Sequence, residues 1–178
     1  MNIGLVRHFK VKRGYPNRFI SGKELMTWID EYDLSEVEVN EVDIGESEWH
    51  YCYSSDLSRA QTTAQTIYDG EIIYLEELRE VPLFPFFQNN IRLPLFIHLL
   101  FIRIAWLMNH KSQNETKKDL TDRINKVLDQ AMQTESNVLI IGHGIVMMFM
   151  RKELLKRGFK GPKFKRPLNG LLYLYFKS

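Results

Sequence analysis

Val138-Leu139-Ile140-Ile141-Gly142-His143-Gly144 is a short, unbroken apolar run that stops at a histidine between two glycines. Runs of this length without polar alternation are what a strand covered on both faces of a parallel sheet requires. The same pattern opens the chain, where Asn2–Val6 leads directly into Arg7-His8. In an open α/β sheet, ligands bind beyond the carboxyl ends of the strands. Two strands ending in this way would bring two imidazoles to one edge. A third stretch, Ser54-Ser55-Asp56-Leu57-Ser58-Arg59-Ala60-Gln61-Thr62-Thr63-Ala64, places Arg59 at the start of a helix. Two histidines and two arginines around one spot make a site suited to a phosphoryl group, because guanidinium forks match its oxygens.

Strands alternating with helices extend outward from these segments. Strands are expected at His50–Tyr53, Glu71–Leu75 and Leu171–Phe176, the last at a sheet edge. Phe9 to Ser21, rich in Lys, Arg, Gly and Pro, reads as a loop, and Ser21 as the cap of a helix over Lys23–Glu31. Ser54 or Ser55 is expected to cap the Arg59 helix, which Asp69-Gly70 ends. Leu120, Ile124, Val127, Leu128 and Ala131 form a helical stripe, and a further helix runs from Gly144 to about Arg157. Pro82, Pro85 and Pro94 bracket an aromatic and apolar segment, read as an insert over Phe84–Asn114 with a helix from Pro94 to Asn109. The expected fold class is α/β, a three-layer sandwich with a mostly parallel central sheet and a small apolar helical insert. All 178 residues are expected to form one domain, with residues 84–114 as a cap over the site.

The composition, 44% hydrophobic and 26% charged, supports a packed core and argues against disorder. A net charge of +2 gives no general attraction to nucleic acid. Charge is unevenly placed. Acids crowd the stretch from Asp30 to Glu48, and bases crowd Arg151 to Arg166. These read as two solvated faces of opposite sign, or as a basic rim that draws in an anionic substrate. The single cysteine, Cys52, reads as a core residue and excludes an internal disulfide or a cysteine-rich zinc site. No histidine–carboxylate cluster at ligand spacing appears, so no metal and no cofactor are expected. His50, His98 and His110 read as structural or surface residues. Leu93–Met108 is too short for a membrane span of about 20 residues. A cytoplasmic protein without stable membrane insertion is the expectation, and the oligomeric state is not encoded in any motif.

Arg7-His8, the Ser-Asp-Leu-x-Arg-Ala-x-x-Thr-Ala run over 55–64 and Gly142-His143 occur in the order found in the histidine phosphatase superfamily, the phosphoglycerate-mutase-like group. The chain resembles that family from Asn2 to Asn169, least between Phe84 and Asn114. From position alone, His8 reads either as a nucleophile or as an anion ligand, Arg59 either as a phosphate clamp or as a surface partner of Asp56, and His143 either as a phosphoryl ligand or as a structural residue. The resemblance implies that His8 carries the phosphoryl group covalently and that Arg7, Arg59 and His143 bind it, with Gly144 beside them. A leaving alkoxide needs a proton, and Glu76, Glu77 and Glu80 are the local acids. The family's Leu-x-Glu context, here Leu78-Arg79-Glu80, selects Glu80, with Glu77 next. Asn17 is carried over as a phosphate contact, although its spacing is longer than usual.

Phe9-Lys10 departs from the family's glycine after the Arg-His pair and would set a bulky side chain beside the nucleophile. The resemblance implies a metal-independent phosphomonoester phosphatase acting on a small phosphorylated metabolite. A phosphoglycerate mutase and a protein phosphohistidine phosphatase are alternatives within the family. Outside it stand a non-catalytic phospholigand-binding regulatory module and a membrane-surface protein using the aromatic insert.

Overall fold

A computed structural model describes residues 1–16, 18–87 and 90–177. Asn17 lies outside the described residues. A five-stranded sheet has the order β5-β4-β6-β1-β7. It is built from β1 (Asn2–Arg7), β4 (Tyr51–Ser55), β5 (Ile72–Leu75), β6 (Val138–Gly142) and β7 (Leu172–Phe176). All pairings are parallel except that of β7, which runs antiparallel to β1 along the edge.

The unbroken apolar runs have a direct cause. Successive side chains of a strand point to opposite faces, and both faces of the two central strands are covered. Ile3 and Leu5 of β1, with Val138 and Ile140 of β6, face α4 (Lys117–Gln133) and α5 (Gly144–Lys156). Val6, Leu139 and Ile141 face the opposite way, onto Ala60 and Ala64 of α2 (Ser58–Ile67), with Cys52 and Trp49 beside them. Two helical layers therefore enclose the sheet. A third cluster joins α1 (Gly22–Leu34) to α3 (Leu95–Leu107) through Ile20, Leu25, Trp28, Leu95 and Ile102.

Local sequence accounts for several boundaries. Ser21 caps α1 in a reciprocal arrangement: the Glu24 N–H donates to Ser21 Oγ at 3.3 Å, and the Ser21 N–H donates to the Glu24 carboxylate at 2.9 Å. Thr116 and Asp119 do the same at the start of α4. The Arg59 helix is different from its expected form. It starts at Ser58, with Leu57 at the cap position and no capping side chain. Ser54 instead donates to the carbonyl of Ser55 inside the core, and Ser55 is taken by the site. The helix closes at Ile67 on the N–H of Tyr68, before Asp69-Gly70. Residues 9–21 are not wholly loop either. β2 (Lys10–Val11) pairs with β3 (Val37–Glu38), and Lys10 and Lys12 bind Glu38 and Glu36. Part of the acidic stretch is thus neutralised by the basic loop facing it.

Gly4 sits where two layers meet on the central strand. A Cβ there would lie 2.6 Å from Trp49 Cη2, 2.9 Å from Leu172 Cδ1 and 3.0 Å from Leu139 Cδ1. Overpacking of this kind costs about 1–3 kcal/mol. Gly4→Ala is expected to lower the urea midpoint by a corresponding amount with an unchanged m-value. An unchanged midpoint would show that Trp49 is not wedged against the strand.

Candidate active site

The carboxyl ends of β1, β4 and β6 converge on one cavity of about 910 Å³. Arg7, His8, Arg59, Glu80, His143 and Gly144 all line it. These six candidates are thus brought together, from four separate segments.

His8 leaves the end of β1 with its N–H bonded to the Gly142 carbonyl at 3.0 Å. Its ring is buried, and Nδ1 lies 2.6 Å from the Phe9 carbonyl oxygen. A carbonyl can only accept, so Nδ1 carries the proton and Nε2 holds the lone pair. The neighbouring backbone is fixed as well. Asn169 Nδ2 donates to the His8 carbonyl at 2.6 Å, and the Phe9 N–H donates to Thr63 Oγ1 at 2.8 Å. Burial, followed by the charges of Arg59 and Arg7, pushes the His8 pKa down to about 3. The ring is therefore neutral across the physiological range.

His143 stands at the N-cap of α5, its ring centroid 5.0 Å from that of His8. Its Nε2 lies 2.9 Å from Ser55 Oγ, and its buried Nδ1 has no protein partner among the described residues. Ser55 Oγ already accepts the Leu57 N–H at 3.3 Å, so its own proton is free for His143 Nε2. That assignment leaves an Nδ1–H without an acceptor, beside the His8 ring. Burial, then the charges of His8, Arg59 and Arg7, lowers the His143 pKa well below the usual histidine value.

The arginines are held from behind. Arg7 Nη1 donates to the Pro167 carbonyl at 3.0 Å, and Arg59 Nη1 pairs with Asp33 at 2.7 Å. The Nε of each is buried without a partner among the described residues. Arg59 also lies over the Tyr32 ring at 5.6 Å. Burial and the nearby Arg166 lower the Arg7 pKa. Asp56, the expected surface partner of Arg59, instead binds Arg79.

Glu80 follows the 3₁₀ turn Glu76–Leu78, and two backbone N–H groups hold its carboxylate, Val81 on Oε1 and Ile145 on Oε2, both at 3.1 Å. Gly144 lies between Glu80 and Arg7, with room for a side-chain carbon at ordinary contact distance. A Cβ there would stand 3.6 Å from Glu80 Oε2 and 3.7 Å from Arg7 Cζ. Glu77 points elsewhere, to Lys126. Phe9 does not crowd the nucleophile. Its ring is buried with Val11 and Val37 and packs against the position of Gly170, whose φ of +63° keeps the chain close.

Several residues of the site had no signal of their own in the sequence. Ser55 was legible only as a cap, and Asp33 only as one member of an acidic run. Arg103, from α3, also lines the cavity, and its Nη1 is buried without a partner among the described residues. Burial lowers the Arg103 pKa, with the charge of Glu80 acting against that shift. Lys165 and Arg166 bring the basic stretch to the cavity wall. Among the described residues, no three His, Cys, Asp or Glu side chains are grouped so as to hold a metal ion.

The sequence pattern of the histidine phosphatase superfamily (branch 1) matches residues 41–170. No curated protein matches the chain in sequence. Solved structures do match in fold. Alpha-ribazole phosphatase from Shigella flexneri superposes with a TM-score of 0.60 at 15% identity, over 98% of this chain and 89% of its own. A mycobacterial glucosyl-3-phosphoglycerate phosphatase gives 0.56 at 17% identity, over 87% and 79%. A phosphoserine phosphatase variant from Entamoeba histolytica, in complex with phosphoserine, gives 0.54 at 17% identity, over 97% and 89%.

The lowered histidine pKa values link the site to stability. Between pH 6.5, the ordinary value, and about 3, the unfolded chain binds a proton at His8 that the folded chain does not. Stability therefore rises with pH through this window, is complete above it and is lost as pH falls. The loss is on the order of a few kcal/mol. Urea unfolding at pH 7, 6 and 5 is expected to show a falling midpoint, with a shallower fall in His8→Asn. Equal slopes in the two proteins would contradict the burial of a neutral ring.

Proposed function

The chain belongs to the histidine phosphatase superfamily (branch 1), and from that premise we propose that it hydrolyses small phosphomonoesters through a phosphohistidine on His8. The observation that carries this reading is the His8 ring itself. Its Nδ1 proton is committed to the Phe9 carbonyl, and its neutral Nε2 is left to act beside two arginines and a second imidazole.

In the first step the Nε2 lone pair attacks phosphorus in line, and the bond from phosphorus to the ester oxygen breaks. Protonated Glu80 gives its proton to the departing alkoxide. Arg7 and Arg59 hold the equatorial oxygens through the transfer, and the His143 Nδ1–H supplies one more donor. In the second step the Glu80 carboxylate takes a proton from water, the water oxygen attacks phosphorus, and the bond to Nε2 breaks. Inorganic phosphate leaves, and His8 and Glu80 return to their starting states. No metal enters the scheme, because the arginines and imidazole already oppose the phosphoryl charge.

The cavity is much larger than a phosphoryl group, and Trp28, Tyr32, Leu83, Phe84, Ile145 and Met148 line it. This favours a phosphomonoester of a small metabolite with an apolar or ring-bearing remainder. The Phe9 ring packs with Val11 and Val37 and does not line the cavity, which supports turnover over a binding module without it.

His8→Ala is expected to abolish hydrolysis of p-nitrophenyl phosphate. Glu80→Gln is expected to slow alkyl phosphates by about 10²–10⁴-fold and aryl phosphates much less in the phosphorylation step, since p-nitrophenolate leaves without a proton. Residual turnover by His8→Ala, or an equal loss on both substrate types in Glu80→Gln, would move the nucleophile or the acid elsewhere.

A further inference from the structure

α3 is apolar nearly all the way round, and only one side of it is covered. Leu95, His98, Ile102, Ala105 and Trp106 turn inward. The other side bears Phe96 (66% exposed), Leu100 (50%), Ile104 (42%), Leu107 (52%) and Met108 (75%). Spaced by three and four residues, these side chains form one continuous stripe. A contiguous exposed apolar surface of this kind marks an interaction site. It lies outside the cavity, although Leu99 and Arg103 of the same helix line the cavity wall.

The charges around the stripe select its partner. Between Val81 and Asn114 the sequence contains no Asp or Glu, and it contains Arg92, Arg103 and Lys111. Arg92 and Lys111 are exposed and flank the two ends of α3. The acids nearby are engaged. Glu24 is shared between Arg18 and Arg92, Glu115 binds Arg123, and Asp119 caps α4. Pairing with a second copy through a two-fold axis would bring the same cations toward their counterparts. A negatively charged apolar interface matches both features at once.

We propose that α3 docks this protein onto an anionic lipid surface, with the stripe seated at the acyl boundary and Arg92 and Lys111 meeting the headgroups. No helix among the described residues is long and apolar enough to cross a membrane, so the contact lies in the plane of the interface. Each cation near an anionic surface strengthens binding about fivefold.

Sedimentation with vesicles tests this without any requirement for turnover, so it is independent of the proposed catalysis. The protein is expected to bind phosphatidylcholine vesicles containing phosphatidylglycerol at least about tenfold more tightly than pure phosphatidylcholine, and to weaken in high salt. Leu100→Glu combined with Ile104→Glu should remove binding while leaving the circular dichroism spectrum and p-nitrophenyl phosphate turnover intact. Arg92→Glu combined with Lys111→Glu provides a second variant that leaves the stripe in place and should remove the preference for anionic vesicles. Absence of binding by the unaltered protein, or undiminished binding by both variants, would overturn the proposal. A concentration-dependent dimer that the first variant dissolves would also overturn it, by assigning the face to a second copy.

Discussion

The hydrogen bond between His8 Nδ1 and the Phe9 carbonyl, 2.6 Å long, decides which nitrogen of the ring remains available for chemistry. That carbonyl is where it is because the flanking chain is pinned from both sides. Thr63 of α2 takes the Phe9 N–H, and Asn169 reaches back to the His8 carbonyl. The Phe9 side chain adds to the fixing, since it fills a core pocket below Gly170. The residue that departs from the family's glycine thus anchors the turn in place of loosening it.

Around that ring the fold concentrates positive charge with little compensation from within. Asp33 and the Pro167 carbonyl each satisfy one nitrogen of an arginine, while both Nε atoms and the His143 Nδ1 are buried without a partner among the described residues. Unpaired buried donors are costly in a folded protein. They are tolerated where an arriving ligand satisfies them, and a tetrahedral dianion offers acceptors on every side. Glu80 sits against this cationic group without touching either arginine, because the backbone N–H groups of Val81 and Ile145 hold it. A carboxylate paired with Arg7 or Arg59 would compete with the phosphoryl group for the same forks.

The strand ends were readable in the sequence because both central strands are covered on both faces. Full coverage suppresses polar alternation, and the runs then stop sharply at Arg7-His8 and Gly142-His143. Arg59 was readable for a local reason, its place within a ten-residue run. The residues that orient these groups were not. Ser55, Asp33, Pro167 and Asn169 come from distant parts of the chain, and nothing in the composition around each of them marks the contact. The start of α2 was misplaced for a related reason: the serines with the best capping chemistry are drawn into the core and the site, and Leu57 takes the cap position. In the segment from Phe84 to Asn114 the sequence revealed an apolar helix but not which side of it is covered, since that depends on α1 and α5.

On the mechanism we propose, the hydrogen bond at Nδ1 directs phosphoryl transfer to Nε2 of His8. Its most direct test is to mix the protein with a phosphomonoester, quench in alkali within one turnover, and identify the phosphohistidine isomer on the peptide containing His8 by ³¹P NMR and mass spectrometry. Phosphate is expected on Nε2 of His8 alone. Phosphate on Nδ1, on His143, or on no histidine while product still forms would contradict it.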